Sequence, residues 1–233
     1  MVKVVSLNVN GLRDINKVKN IFSTFENTDI ICLQETFWDD SFVDSVKRLW
    51  DGPLFFSNCQ FAKRKGVAIM VKNDIKECVV NTPKDNDGRI VRVDLNIDEQ
   101  LVSIISIYAP NEYKERINFF KYIKTFIDMN QHFIIAGDFN DVLDPSLDRG
   151  YGMDTCKASI IAFNRFLNSS NLCDIYRYRN PTKKEFTRVC SVNGNYKTTR
   201  LDYILVSRNL LTFCRHVFIT KTSFSDHSIV SYI

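Results

Sequence analysis

Hydrophobic and polar positions along the chain follow two periods. Short runs rich in valine and isoleucine, several with apolar residues at every second position, predict strands at residues 2–9, 29–34, 66–71, 89–97, 101–108, 132–138, 200–207 and 215–220. Between these runs, apolar residues at three- and four-residue spacing predict amphipathic helices with faces at Ile21, Val46, Phe120 and Phe163. Many strands and few helices favour an α/β (α+β) chain in which helices cover two packed sheets.

Length and composition are those of one ordinary globular domain. The chain has 233 residues, of which 45% are hydrophobic, and no linker, repeat or low-complexity tract divides it, so we expect a single domain over 1–233. No apolar run reaches the roughly 20 residues of a bilayer span, and the N-terminus lacks a signal-peptide pattern. We therefore expect an intracellular protein with no membrane partner. Seven cysteines without a CxxC pair predict reduced thiols.

Basic residues concentrate in one segment. The net charge of +4 permits a polyanionic partner without requiring one. Residues 176–200, however, contain seven lysines and arginines, interleaved tyrosines and Glu185 as the single acid. Such a segment is either a solvated basic edge or a surface that contacts phosphates, and the composition leaves both interpretations open.

Polar side chains stand where predicted strands begin or end. Loops at such positions carry function on a rigid scaffold, so we expect these side chains to converge on one edge of the sheets. The set consists of Asn8, Glu35, Tyr108, Asp138 and Asn140 after their strands, and of Asp226 and His227 at the start of the last one.

Asp202 lies inside an otherwise apolar strand, RLDYILV. A buried carboxylate is costly unless it is paired, and His227 is a suitable partner, because a carboxylate fixes the tautomer of an imidazole and stabilises its protonated form. The alternative is an outward-facing aspartate and a histidine with a purely structural role.

Each remaining candidate also has two interpretations. Glu35 is either a solvated strand end or, with Asn8 or Asp226, part of an oxygen-rich cluster that suits Mg²⁺ or Mn²⁺ better than zinc. The sequence GDFN is either a turn or a site in which Asp138 activates water and Asn140 stabilises an oxyanion.

The ordered set of motifs is more specific than any member. LNVNGLR (7–13), LQE (33–35), IYAPN (107–111), GDFN (137–140), RLDYIL (200–205) and SDH (225–227) resemble the endonuclease/exonuclease/phosphatase superfamily, which includes DNase I and the exonuclease III type abasic-site nucleases. The resemblance implies a DNase I-like, four-layered α/β sandwich with two mixed sheets flanked by helices. It also implies hydrolysis of phosphate esters with Mg²⁺, for which Mn²⁺ can substitute.

The resemblance assigns a role to each motif residue. Glu35 is expected to bind Mg²⁺, with Asn8 beside it and Asp226 assisting indirectly. The expected catalytic residues are Asp138, which activates the attacking water, Asn140 and Tyr108, which stabilise the pentavalent phosphate, and Asp202, which orients His227 against the scissile phosphate.

Within the superfamily, NVNGLR, GDFNDVLDPSLDRG and the EFTRV stretch before RLDYIL resemble the endonuclease domain of LINE-type non-LTR retrotransposons. This implies a domain of a longer polyprotein that acts in the nucleus, nicks one strand of chromosomal DNA and leaves a 3′-hydroxyl for the reverse transcriptase domain of that polyprotein. An abasic-site repair endonuclease is the second hypothesis, and Asn10 and residues 197–199 depart from its pattern. A DNA-binding module without chemistry is a third, disfavoured because the catalytic set is complete.

The dipeptide Asn193-Gly194 predicts a tight hairpin turn. In the retrotransposon enzymes a hairpin at this place enters the minor groove of double-stranded DNA. The DNA-contacting residues implied here are Thr187, Arg188, Asn193, Lys197 and Arg200, together with Asn111 in IYAPN.

Overall fold

Two large sheets and their covering helices build the chain. The computed structural model describes residues 2–59, 64–128, 131–150, 156–192 and 194–233. Its strands are β1 Val4–Asn8, β2 Ile30–Gln34, β3 Leu54–Ser57, β4 Val67–Val71, β5 Val79–Asn81, β6 Ile90–Ile97, β7 Gln100–Tyr108, β8 His132–Asp138, β9 Leu172–Asp174, β10 Arg188–Val192, β11 Asn195–Thr199, β12 Asp202–Ser207, β13 Val217–Thr220 and β14 Ile229–Tyr232. Its α-helices are α1 Ile15–Thr24, α2 Asp40–Lys47, α3 Tyr113–Ile123, α4 Pro145–Asp148, α5 Lys157–Ser169 and α6 Ile175–Arg179. Short 3₁₀ helices cover Asn73–Cys78, Lys124–Phe126 and Arg208–Leu210.

The strands form two mixed six-stranded sheets and one hairpin. The first sheet has the order β13-β14-β1-β2-β4-β3, and the second has the order β5-β6-β7-β8-β12-β9. Each sheet contains one parallel pair, β1 with β2 and β7 with β8, among antiparallel neighbours. Strands β10 and β11 form a separate two-stranded hairpin. The predicted pair of mixed sheets is therefore confirmed.

Alternating side chains of each strand fill three apolar layers. Val4 and Ile104 point between the sheets, whereas their neighbours Val5 and Ile105 point outwards. Side chains of α1 and α2 cover the outer face of the first sheet, and those of α3 and α5 cover the second, where Phe120 stacks on Phe163 at 4.8 Å. Each large apolar side chain buried in this way stabilises the fold by about 1.5–3 kcal/mol. The result is the expected four-layered sandwich.

Some predicted boundaries differ from the structure. All eight predicted strands are present, but the short strands β3, β5 and β9 were not predicted, because runs of three or four residues carry little periodic signal. The second helix ends at Lys47 with Val43 and Val46 as its buried residues, and Leu49 lies beyond its end and is 37% exposed. The third helix ends at Ile123, and a 3₁₀ helix over Lys124–Phe126 follows it.

The seven cysteines are all unpaired, as predicted, and Cys32 and Cys214 are the buried ones. Among the helices of the described ranges, none has both the length and the apolar character needed to cross a membrane.

Candidate active site

Strand ends from both sheets meet at one edge of the sandwich. Asn8 ends β1, Tyr108 ends β7 and Asp138 ends β8. Asp202 begins the antiparallel strand β12 and lies directly opposite Asp138 in the register. The side-chain amide of Asn8 donates to Asp138 Oδ2 at 2.9 Å and so connects the first sheet to the second. The structure thus brings the predicted residues together, as their positions at strand ends led us to expect.

The buried carboxylate of Asp202 has the histidine partner that its burial requires. His227 Nδ1 lies 2.8 Å from Asp202 Oδ2 and 3.0 Å from Oδ1, and both side chains are almost fully buried. Burial alone lowers the pKa of His227, but the charge and hydrogen bond of Asp202 outweigh it and raise that pKa to about 9. At neutral pH the ring is therefore a cation whose Nδ1–H donates to Asp202.

Asp138 lies on the other side of the same imidazole. Asp138 Oδ1 accepts from the backbone amide of Asn140 at 2.8 Å, and Asp138 Oδ2 is 4.0 Å from His227 Nε2. Burial and then the charge of Asp202 raise the pKa of Asp138 to about 7, against the opposing effects of His227 and of the hydrogen bonds from Asn140 and Asn8. A carboxylate with this pKa can accept a proton near neutral pH.

Glu35 and Tyr108 complete the edge. Glu35 Oε1 accepts from the Asn8 amide at 2.9 Å, and its half-buried side chain also hydrogen-bonds the Tyr108 hydroxyl. Burial, followed by the charges of Glu35 and Asp138, raises the pKa of Tyr108, so its hydroxyl stays neutral and can donate.

Unusual backbone conformations position two of these residues. Glu35 has a φ of 53° and Asn140 a φ of 49°, in the left-handed region that non-glycine residues seldom adopt. Glycine is required at position 137, directly before Asp138, because a Cβ there would lie 2.0 Å from the Ile107 carbonyl oxygen of β7. Strained backbone of this kind clusters at functional sites. Asn140 is further fixed by donating from its side chain to the Ala109 carbonyl at 2.8 Å.

The charge balance of the site favours a bound cation. Glu35, Asp138 and Asp202 are three acids beside one imidazolium, and carboxylate oxygens are the ligands that Mg²⁺ and Mn²⁺ prefer. Asp138, Asp202 and His227 offer ligand atoms within 4.8 Å of one another. A protonated imidazole cannot coordinate a metal, however, so His227 is not a ligand while it is protonated, and Glu35 stays the predicted metal ligand.

The side chain of Asn8 lies between two carboxylates. Its nitrogen donates to Glu35 and to Asp138, and its oxygen accepts from the backbone amide of Asn10 at 3.0 Å. Asn8 therefore orients both carboxylates, and its expected place beside the metal stays a prediction.

Asp226 is anchored on both oxygens. Oδ1 accepts from the Asn10 side chain at 3.0 Å, and Oδ2 from Arg188 Nε at 3.2 Å. Burial opposes its ionisation, but the charges of His227 and Arg188 outweigh burial and lower the pKa of Asp226. These contacts are consistent with the indirect role expected for Asp226.

Two predicted DNA contacts are wrong. Arg200 is fully buried and donates to Asp148 Oδ1 at 2.9 Å and to Asp174 Oδ2 at 2.6 Å. Thr187 is also fully buried, and its hydroxyl accepts from the backbone amides of Leu201 and Asp202. Neither side chain can reach a DNA phosphate on the surface.

Three of the other four predicted DNA contacts, Arg188, Lys197 and Asn111, have solvent-accessible side chains. Arg188 and Lys197 are half-buried on the hairpin, and they share one of its faces because Lys197 pairs with Cys190, two residues after Arg188. Asn111 is exposed before α3. Asn193 lies outside the described residues.

Sequence reasoning missed Arg89 at this edge. It donates to the Tyr108 carbonyl at 3.0 Å, and its guanidinium lies 5.4 Å from the centre of the Tyr108 ring. A charged residue at the start of a strand is common, so its sequence position carries no signal.

The model of one protein family matches residues 5–227, which is nearly the whole chain and includes every catalytic candidate above. The chain belongs to the Endonuclease/Exonuclease/phosphatase family. It is accordingly a hydrolase of the phosphodiesterase type.

Family relatives come from several kinds of protein. The transposon TX1 uncharacterized 149 kDa protein of Xenopus laevis is 26% identical over 98% of this chain, which spans 18% of that protein's length. An exodeoxyribonuclease of Bacillus subtilis is 26% identical over 89% of both chains. A DNA-(apurinic or apyrimidinic site) endonuclease of Dictyostelium discoideum is 24% identical over 99% of this chain and 70% of the relative.

Solved structures of the family share the fold. The Xenopus laevis APE2 catalytic domain matches with a TM-score of 0.82 and 25% identity, over 100% of this chain and 91% of that one. An AP endonuclease from Archaeoglobus fulgidus matches with a TM-score of 0.80 over 100% of this chain and 99% of that one, and its 19% identity supports the fold alone. The DNase I-like architecture is thereby confirmed.

Proposed function

We propose that this chain is a Mg²⁺-dependent DNA endonuclease that nicks one strand and leaves a 3′-hydroxyl. The observation that carries the proposal is the buried imidazolium of His227 between Asp202 and Asp138. It places a phosphate-binding cation 4.0 Å from a carboxylate that can accept a proton from water. Hydrolysis of a phosphodiester needs both groups on one scissile phosphate.

Asp138 activates the attacking water in this mechanism. Its pKa of about 7 allows it to take a proton at neutral pH, and its two hydrogen bonds, from Asn8 and Asn140, fix the direction of its oxygens. The water oxygen forms a bond to phosphorus as the bond to the 3′-oxygen breaks, and the departing 3′-oxygen takes a proton from solvent to become the 3′-hydroxyl.

His227, Tyr108 and Asn140 stabilise the charge that develops on the phosphate oxygens. Asp202 keeps His227 protonated and oriented, so its Nε2–H remains available to the phosphate. Tyr108 contributes a neutral hydroxyl. Donors fixed in advance in a buried site are the largest single contribution to many enzymes' rates.

Glu35 is the residue that would hold the metal, with Asp226 acting indirectly. When bound, Mg²⁺ supplies Lewis-acid stabilisation of the phosphate oxygens. The surplus of carboxylates at the site fits a divalent cation, and Mn²⁺ has the same ligand preference.

The relation to the transposon protein supports a role in retrotransposition. The similarity covers 98% of this chain, and Arg188 and Lys197 share one face of the hairpin β10–β11. This shared basic face supports contact with phosphates of double-stranded DNA. We propose that the domain is part of a longer polyprotein, acts on chromosomal DNA in the nucleus, and supplies the 3′-hydroxyl to a reverse transcriptase domain of that polyprotein.

Abasic-site repair is the second candidate. The Dictyostelium relative is named as an apurinic or apyrimidinic site endonuclease, and the APE2 catalytic domain has the same fold. This activity requires strong preference for a duplex with an abasic nucleotide, whereas the retrotransposon activity requires cleavage of intact DNA.

The test is nicking of supercoiled plasmid with Mg²⁺, beside the same plasmid after partial depurination. We expect nicks in the intact plasmid, abolished by EDTA. Cleavage restricted to the depurinated plasmid would assign the chain to repair, and cleavage of neither would contradict both candidates.

A further inference from the structure

We propose that Thr187 is a positioning residue that holds Asp202 and His227 in register across the two sheets. Its hydroxyl accepts from the Leu201 amide at 2.9 Å and from the Asp202 amide at 3.1 Å. Its carbonyl accepts from the amide of Ser228 at 2.6 Å. One residue is thus bonded to the backbone of Asp202 and to that of the residue after His227.

The pair needs such a connection because its members belong to different sheets. Asp202 begins β12 of the second sheet, whereas His227 precedes β14 of the first. Strand β9 pairs with β12 only at Leu205–Ser207, so it does not cover the start of β12. A buried amide without an acceptor is costly, and the Thr187 hydroxyl supplies the acceptor at this point.

The neighbouring residue extends the same connection. Arg188 forms an isolated bridge with His227, and its Nε donates to Asp226 Oδ2. The Thr187 amide donates to the Thr199 carbonyl at 3.0 Å, at the base of the hairpin. The start of β10 therefore lies between the two halves of the catalytic pair.

Burial separates this role from DNA contact. The Thr187 side chain has no exposed surface, so it acts on the reaction through Asp202 and His227 alone. Its loss should lower kcat, because the imidazolium moves relative to the phosphate, and should leave the KM for DNA unchanged.

The test is Thr187→Val, which keeps the branched shape and removes the acceptor. We expect kcat for plasmid nicking to fall by about ten-fold or more, with KM within about two-fold of wild type, and Thr187→Ser to recover kcat to within about three-fold. Thr28→Val is the matched control: Thr28 is buried, and its hydroxyl has no hydrogen-bond partner in the described part of the chain. It should nick DNA like wild type.

A second readout needs no substrate. In the free protein, the proton on His227 Nδ1 should give a far-downfield NMR resonance, assigned by its loss in His227→Ala. We expect it to be lost or shifted in Thr187→Val and kept in Thr187→Ser and Thr28→Val. If Thr187→Val does not fold, Thr187→Cys, whose sulfur is a weak acceptor, carries the same expectations.

The kcat measurement rests on the proposed function, whereas the NMR measurement does not. Together they separate a failure of this inference from a failure of the proposed function. Loss of the resonance in Thr187→Val, with a wild type that nicks nothing, would refute the proposed function and keep the inference. In Thr187→Val, an unshifted resonance together with normal kcat would overturn the positioning role of Thr187. A raised KM with unchanged kcat and an unchanged resonance would also overturn it, and would support the DNA contact first expected for Thr187.

Discussion

Two buried charge clusters near the same end of the sandwich differ in their balance of acids and bases. In one, Asp148 and Asp174 face Arg177 and Arg200, with pairs at 2.6 to 2.9 Å. In the other, Asp138 and Asp202 face His227, with Glu35 nearby. In the first, matched cluster two carboxylates are balanced by two arginines, and arginine stays charged at every physiological pH. The second has surplus carboxylate, and the pKa of Asp138 in it is raised to about 7.

This difference supports assigning the proposed chemistry to the second cluster and a stabilising role to the first. A cavity of about 490 Å³ lies beside Asp148, Asp174 and Arg200, and this volume is within the usual range of ligand sites. Asp148 and Asp174 are both paired with arginine, so neither is left to move a proton. Perturbed titratable groups, more than cavity size, indicate the active site.

Removing a member of the titratable cluster should have the largest effect on activity. We expect His227→Ala and Asp202→Ala each to lower nicking by about a thousand-fold or more, because both act as a unit on one phosphate. The double variant should be little worse than either. His216→Ala, which changes an exposed histidine, should retain wild-type nicking; normal turnover in either site variant would remove the pair from the mechanism.

Breaking the matched cluster should affect stability. Arg200→Met leaves Asp148 and Asp174 without one cation, and we expect the free energy of unfolding in urea to fall by about 3–5 kcal/mol. Turnover per folded molecule should stay close to normal, with Arg165→Met, an exposed arginine on α5, as the control. An unchanged unfolding midpoint together with weaker DNA binding would instead support the DNA contact first expected for Arg200.

Reducing the surplus negative charge should weaken metal binding. We expect Glu35→Gln to raise the Mg²⁺ concentration for half-maximal nicking by about ten-fold, and to weaken Mn²⁺ binding measured by calorimetry without DNA. Glu26→Gln changes an exposed glutamate and should alter neither. Equal metal affinity in Glu35→Gln and wild type would place the metal elsewhere.

Shortening the hairpin within residues 190–196 should have the smallest effect on turnover. Because shortening displaces the hairpin face that carries Arg188 and Lys197, it should change which sites are cut while the Mg²⁺ requirement stays within about two-fold. Sequencing of nick positions in one plasmid checks this. Unchanged positions at normal activity would exclude the hairpin from site choice.

The sequence predicted the titratable cluster better than the matched one. Strand periodicity placed Asn8, Tyr108 and Asp138 at strand ends, and parallel or antiparallel pairing then brings such ends together. The burial cost of Asp202 suggested a partner such as His227, with an outward-facing aspartate as the alternative. The ordered set of motifs then favoured the pair.

Errors arose where partners are distant in sequence. Arg200 ends a basic segment and looked like a phosphate contact, but the acids that bury it stand 52 and 26 residues away. Thr187 was likewise assigned to DNA contact from its place in the chain. Its hydroxyl instead accepts from two backbone amides at the start of β12, and these are 14 and 15 residues away. The orientation of the Asn8 amide depends on three separate groups. Local pattern contains none of this information.

The most direct test of the central claim is the chemistry of the nick itself. Intact plasmid nicked with Mg²⁺ by the wild-type chain should be extended by a DNA polymerase with labelled nucleotides, without prior phosphatase treatment, because water attack with loss of the 3′-oxygen leaves a 3′-hydroxyl. Label should therefore appear at every nick made by wild type and be absent with His227→Ala. Nicks that resist extension until a 3′-phosphate is removed would contradict the proposed mechanism.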